Sequence, residues 1–265
     1  MSAVRHFLLA LQFFTRIPVT GRLGQWVGYS PAMLRASAAH FPAVGWVVGA
    51  IGALALAGAL ALWTPAVAAV LCTAVTVLLT GAFHEDGLAD TADGLGGAST
   101  RERAMEIMRD SRIGAFGAIA LVLALGLKFA LLTALAEHGV VDACAALVAA
   151  HVVSRLVPLG VMRALPYVGA EGGKAKPMAD AVSDASVAVG VLWSLPALVL
   201  LGVAGGAVNG VAALAAAALV GVAMVRLLRR RLGRLRRNRA WLYSREQDPL
   251  IETEIPAFAG MTPCK

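Results

Sequence analysis

Charge is scarce in this chain: only 15% of its 265 residues are Asp, Glu, Lys or Arg. So few charges cannot clothe the surface of an ordinary water-soluble domain of this size. Cysteine is scarcer still, and Cys72, Cys144 and Cys264 stand far apart without metal-ligand spacing. That pattern excludes a zinc site and a disulfide framework. Aromatic residues make up 6%, and no internal repeat or separate soluble domain is visible. A secretory signal is also missing. Arg5 precedes a short apolar core in MSAVRHFLLALQFFTRIPV, but Gln12 and Arg16 interrupt it and no small-residue cleavage site follows. The segment reads as an uncleaved interfacial or partly inserted helix ended by Pro18.

What fills the space is apolar: 59% of residues are hydrophobic and the mean hydropathy is +0.76. Apolar stretches fall at about 41–63, 66–83, 114–136, 140–162, 187–206 and 208–228, each near the roughly 20 residues that a spanning helix needs. The expected fold is therefore all-α and polytopic, with about six transmembrane helices behind the N-terminal interfacial helix. Gly45, Gly49 and Gly52 are spaced to let two helix backbones approach in lipid, although the same spacing also suits lipid-facing filler.

Basic residues alternate with the spans. Arg5, Arg16, Arg22 and Arg35 precede the first. Arg101, Arg103, Arg109 and Arg112 lie between the second and third, and Arg163, Lys174 and Lys176 between the fourth and fifth. An arginine-rich run follows the sixth, and the connections after spans one, three and five contain none. The positive-inside rule places both termini and these loops in the cytoplasm. The net charge of +7 is then a topology signal, aided by attraction to anionic lipid, and calls for no nucleic-acid partner.

Against this background His84–Gly97, HEDGLADTADGLGG, stands out. Asp86, Asp90 and Asp93 lie four and then three residues apart, so on a helix they point within roughly 40–60° of one another. Like charges on one face repel, and a hard divalent cation bridging phosphate oxygens would hold them together. They are the expected metal ligands and catalytic acids, with Glu85 and Asp110 as further candidates for metal or hydroxyl-proton handling. His84 reads as structural. The following stretch, RERAMEIMRDSRIGAFGA at 101–118, begins as an amphipathic surface helix and ends in Asp110, Ser111, Arg112 and Gly114. Arg112 and Arg109 are phosphate-clamp candidates, and Gly94, Gly96 and Gly97 offer flexible backbone nearby. Within the spans, Lys128 and Arg155 are costly and should face the bundle or a wet cavity. Arg155 is the third phosphate-binding candidate, whereas Lys128 fits snorkelling or a carbonyl contact. The loop EGGKAKPMAD at 171–180 reads equally as a closing flap or a polar connector.

FFTRIPV at 13–19, FHEDGLADTADGLGG at 83–97, MRDSRIGAFGA at 108–118 and SRLVPLGVMRALPY at 154–167 together resemble the adenosylcobinamide-GDP ribazoletransferase family, also called cobalamin 5'-phosphate synthase. The resemblance runs in order over residues 1 to about 230. It implies a Mg²⁺-dependent enzyme of the bacterial inner membrane. There α-ribazole, or its 5'-phosphate, attacks the diphosphate of adenosylcobinamide-GDP to give cobalamin, or its phosphate, and GMP. The D-x-x-x-D-x-x-D pattern is also similar to the metal-binding helix of CDP-alcohol phosphotransferases, without that motif's glycine and arginine spacing. Such an enzyme and an ion-binding transporter are the alternatives. Residues 1–233 form the family-like domain. From 234 to 265 the chain departs from the family, which would continue with a Gly-Asp-containing segment and another apolar helix. This tail reads as a reading-frame slip or truncation, or as an Arg-rich lipid-binding extension. Loss of the Gly-Asp segment puts this chain's own activity in question.

Overall fold

The computed structural model describes residues 2–165 and 182–232. Among them there are helices and no strand. Five helical segments are long and apolar enough to cross a membrane, or six if a sharply bent pair counts as one span. This agrees with the six apolar stretches of the sequence. The loop at 171–180, the Pro-Tyr turn and the tail after Gly233 lie outside the described residues.

Helix α1 (Ser2–Phe14) is followed by two short helices, α2 (Gly21–Val27) and α3 (Pro31–Ser37). Ser30 caps α3 by accepting the Met33 N–H at 3.1 Å. A single 3₁₀ turn then leads into α4 (Phe41–Leu60), so Pro31–Leu60 forms one 30-residue apolar span. Helix α1 ends at Phe14, four residues before Pro18. There the Thr15 hydroxyl donates to the Leu11 carbonyl at 2.7 Å and accepts the Ile17 N–H at 3.2 Å. Its buried face, Ala10, Leu11 and Phe14, packs with Leu34, Phe41, Val44 and Leu159.

The remaining helices are α5 (Pro65–Thr80), α6 (Phe83–Gly97), α7 (Arg101–Ile107), α8 (Ala115–His138), α9 (Val140–Ala164), α10 (Asp184–Gly205) and α11 (Ala207–Leu232). Helices α4 and α9 form the central pair. A Cβ on Gly45 would strike the His151 carbonyl oxygen and sit 2.6 Å from the Val152 Cα. One on Gly49 would sit 2.9 Å from the Val148 Cα. The glycine row is thus the contact seam, and dispersion at short backbone separation holds the pair together where lipid supplies no hydrophobic drive. Gly52 extends the row to α5, where its Cβ would meet the Thr76 methyl at 2.9 Å. Helix α10 packs mainly along α9, with Ala197 against Val148, Ala149 and Val152, and is tied to the start of α4: the Trp46 indole donates to the Trp193 carbonyl at 2.9 Å, and the Trp193 indole donates to His40 Nδ1 at 3.2 Å.

The departure from simple spans comes after α5. Gly81 (φ +64°) and Ala82 (φ +58°) are both left-handed, and the chain turns by 86° into α6. Glycine adopts this conformation freely, but alanine does so only against steric resistance. The resistance is met from outside the break. Arg16 donates its backbone N–H to the Leu79 carbonyl at 2.8 Å and lays its guanidinium side chain over Gly81. Phe13 and Phe14 pack edge-on against Phe83, and Phe14 stacks on His84 with ring centres 5.8 Å apart. The FFTR motif therefore clamps the start of the acidic helix.

Candidate active site

The three aspartates of helix α6 share a face but meet different surroundings. Asp86 is exposed and Asp90 half-buried, and neither carboxylate has a hydrogen-bond or ion-pair partner among the described residues, although Asp90 lies within electrostatic reach of Asp86 and Asp93. Asp93 is buried and turns to α8. One of its oxygens accepts the Gly114 N–H at 2.7 Å and the other the Gly117 N–H at 2.8 Å. Gly114 occupies the N-cap position of α8 and has no side chain to serve its first-turn amides. A carboxylate from another helix does so instead, with the favourable sign for a helix N-terminus. Asp93 thus anchors the acidic helix to the third span, leaving one lone pair on each oxygen for a further partner.

The glycines around this junction have a role different from the flexible backbone that the sequence suggested. Gly94, Gly96 and Gly97 lie inside α6. A Cβ on Gly94 would meet the Met108 side chain at 2.5 Å, and one on Gly96 the Phe116 ring at 2.7 Å. A Cβ at Gly114 or Gly117 would displace the Asp93 carboxylate itself. They are close-approach positions that let α6, α7 and the start of α8 pack around Asp93.

Asp110 and Arg112 pair with one another. Arg112 Nε donates to both carboxylate oxygens at 3.0 Å, Nη2 donates to one at 2.6 Å, and the Arg112 backbone N–H donates to the other at 3.1 Å. The pair is exposed to solvent. The guanidinium beside Asp110 holds its carboxyl down at about 2, and the carboxylate in turn raises Arg112. Arg109 is exposed and free of ion pairs among the described residues, while Arg103 pairs with Glu106 at 2.7 Å. The Thr100 hydroxyl caps α7 by accepting the Arg103 N–H at 3.3 Å. The short arginine-bearing helix is thereby held directly after the acidic one.

Glu85 faces the bundle, where Lys128 and Arg155 lie within electrostatic reach. Arg155 is buried as the sequence required, with Nη1 donating to the His151 carbonyl at 2.8 Å. Lys128 Nζ donates to the Thr76 hydroxyl at 3.3 Å. The lysine therefore stays inside the bundle and does not snorkel. Sequence reasoning gave no part to His151 or Thr76. Their signal, a polar side chain at the same depth as an intramembrane cation, is legible only once the helices are paired.

Among the described residues, no three His, Cys, Asp or Glu side chains converge closely enough to hold a metal by themselves. The donor set nonetheless fits a hard cation of the Mg²⁺ kind, which takes one or two carboxylates and keeps its other positions for water and substrate phosphate. Asp86 and Asp90 are unpaired oxygen donors one helical turn apart, and Asp93 holds the helix that carries them. Cys72 and Cys144 are free thiols donating to the Gly52 and Ala53 carbonyls.

Known proteins place this arrangement. Residues 6–236 match the family described as cobalamin-5-phosphate synthase. The adenosylcobinamide-GDP ribazoletransferase of Albidiferax ferrireducens is 59% identical over 206 residues, covering 75% of this chain and 73% of its own length. Those of Polaromonas sp. JS666 and Polaromonas naphthalenivorans are each 52% identical. They cover 86% and 88% of this chain and 88% and 90% of their own lengths. No solved structure matches. The break that swings α6 out of line, the acids it carries and the arginine-bearing segment after it all lie within the matched stretch, and the chain belongs to the cobalamin-5-phosphate synthase family.

Proposed function

We propose that this chain is an adenosylcobinamide-GDP ribazoletransferase, joining adenosylcobinamide-GDP to α-ribazole or α-ribazole 5'-phosphate. The products are cobalamin, or its 5'-phosphate, and GMP. The observation that carries the proposal is the pair of unpartnered carboxylates, Asp86 and Asp90, on a helix that FFTR and Asp93 hold against the bundle, followed at once by an arginine-bearing helix. Family membership sets aside the transporter and CDP-alcohol phosphotransferase readings.

In the reaction a ribose hydroxyl that is free in both α-ribazole and its 5'-phosphate attacks the phosphorus that stays with the cobinamide and gives up its proton, while GMP leaves with the bridging oxygen. Asp86 and Asp90 would hold Mg²⁺, which when bound supplies charge stabilisation to the phosphoryl oxygens. Asp93 keeps these two acids in place through α8. Arg109 stands free to neutralise phosphate, and Arg112 can do so by exchanging Asp110 for a phosphoryl oxygen, since both are acceptors for the same guanidinium edge. Asp110, once released, is a carboxylate able to take the hydroxyl proton.

The site faces the cytoplasm of the inner membrane on this reading, because the basic residues flanking α7 mark that side. Membrane lipids are the surrounding partner, and the oligomeric state is left open. Tags near Ser99 and at the N-terminus should report the cytoplasm, and tags near Gly139 and Asn209 the opposite face. A periplasmic Ser99 would sink the assignment. The direct test is release of GMP from adenosylcobinamide-GDP by the purified chain. Release should require both α-ribazole (or its phosphate) and Mg²⁺, stop on chelation and resume on Mg²⁺ addition. Absence of GMP release under all of these conditions would refute the function for this chain.

A further inference from the structure

Behind the acidic face, inside the bundle, lies a second charged cluster: Glu85 from α6, Lys128 from α8 and His151 and Arg155 from α9, with His84 beside them. Arg155 is 4% exposed, yet its hydrogen bonding is incomplete. Nη1 is committed to the His151 carbonyl at 2.8 Å and approaches His151 Nδ1 at 3.3 Å. Nε is buried without a partner, and so are Glu85 Oε2 and His151 Nε2. Buried donors in native proteins are almost always satisfied, so three orphaned atoms in one cluster require an explanation. The charges do not close either: Lys128 and Arg155 are two cations facing the single carboxylate of Glu85. With neutral histidines the cluster carries one excess positive charge in a low-dielectric setting, where an uncompensated ion is strongly disfavoured.

Both deficits call for the same thing, an anion with several acceptor oxygens. The guanidinium edge formed by Nε and Nη2 makes no hydrogen bond among the described residues. That edge is the planar fork that holds two oxygens of a phosphate or carboxylate side by side. Lys128 needs only a flexible ammonium contact, and it is held now by one long hydrogen bond to Thr76. Glu85 and Asp86 are consecutive on α6, so their side chains diverge by about 100° and an anion here would lie on the flank of the helix next to the free carboxylates.

We propose that Arg155 and Lys128 form a phosphoryl-binding site within the bundle, which receives the diphosphate of the substrate on the flank of α6 next to Asp86 and Asp90. Glu85 offsets part of the charge of the two cations from within electrostatic reach. The identity of the anion rests on the function proposed above. The same chemistry could be supplied by a lipid headgroup, and the site is assigned here to the soluble diphosphate.

The test uses the full chain purified in detergent with EDTA present, so that metal-bridged binding to the acids is removed, and inorganic pyrophosphate as the probe. Pyrophosphate should raise the melting temperature of the wild type and of Asp86→Asn alike. Lys128→Gln and Arg155→Lys should each weaken its apparent Kd at least tenfold while remaining monodisperse by size exclusion. If Arg155→Lys does not fold, Lys128→Gln alone decides. Undiminished pyrophosphate binding in a folded Lys128→Gln overturns the site, as does no binding by the wild type or an equal loss in Asp86→Asn. A shift produced by short-chain phosphatidylglycerol but not by pyrophosphate also overturns it in favour of a lipid. The binding readout is independent of turnover, so failed GMP release with Lys128-dependent binding refutes the reaction and not the site.

Discussion

The α4–α9 seam and the α6 limb solve opposite problems with the same residue type. Along the seam, Gly45 and Gly49 bring two apolar helices into backbone contact, and the His151 carbonyl at Gly45 is the one that accepts from Arg155. Around α6, Gly114 and Gly117 make room for a carboxylate that joins two helices, and Gly94 and Gly96 for the Met108 and Phe116 side chains that pack beside it. The first region is a scaffold whose energy is dispersion over many small contacts. The second depends on a few directional bonds to a buried charge, each worth more individually and each more exposed to failure. The same glycine-to-alanine change should therefore fail in one region by overpacking and in the other by evicting a carboxylate.

The largest expected effect is on the seam. Gly45→Leu would drive a branched side chain into the Val152 backbone, and no folded monodisperse protein should be recovered from detergent. Gly45→Ala should still destabilise by about 1–3 kcal/mol, the usual range for overpacking. Gly58 lies on the same helix with open space around its Cα, so Gly58→Ala should leave the melting temperature within a degree or two of wild type. Equal stability of the Gly45→Ala and Gly58→Ala proteins would break the distinction between seam and lipid face.

Next in size come the acids, which divide by their partners. Asp86→Asn and Asp90→Asn should lower GMP release by about 100-fold or more, the scale of losing electrostatic stabilisation at a phosphoryl centre, with little change in melting temperature. Asp93→Asn behaves differently, because an amide oxygen can serve only one of the two α8 amides that the carboxylate serves now. It should lose activity and also about 1.5–3 kcal/mol of stability, the usual worth of a charge-assisted buried hydrogen bond. Normal stability in Asp93→Asn would remove its anchoring role.

Much of this was readable in the sequence, for identifiable reasons. Spans are set by length and apolarity, which are local, so the boundaries of α8 and α9 fall within a few residues of the stretches expected. The helical phase of Asp86, Asp90 and Asp93 is likewise local. What a helical phase cannot tell is what stands opposite each residue. Asp93 shares a face with Asp90, but Gly114 and Gly117 arrive there from the next span and claim it. The 86° break was also hidden, because 66–83 reads as one continuous apolar run. The left-handed pair Gly81–Ala82 is held by Arg16 and the FFTR aromatics from more than sixty residues away. Glu85 was readable as acidic, but its direction into the bundle depends on that break.

The smallest effect is at the solvent-exposed end of the acidic limb, where Asp110 and Arg112 meet two residues apart. Arg112 depresses the Asp110 carboxyl to about 2 from its ordinary value of 3.8. A group whose folded pKa is lowered favours the folded state above its unfolded pKa, and that contribution disappears as pH falls through the folded value. The window is thus from about pH 4 down to about pH 2, below any working pH for the enzyme. Arg112→Gln removes the strongest of the bonds, so the Asp110 titration should move upward toward the ordinary carboxylate range, measurable by carbon NMR of the labelled side chain. Because the pair is exposed, thermal stability at neutral pH should hardly change. Activity should fall if Arg112 trades Asp110 for a phosphoryl oxygen during turnover, and the loss should appear mainly in KM for adenosylcobinamide-GDP. An Asp110 titration unmoved by Arg112→Gln would mean that the pair does not persist in solution, and Arg112 would then stand as free for phosphate as Arg109.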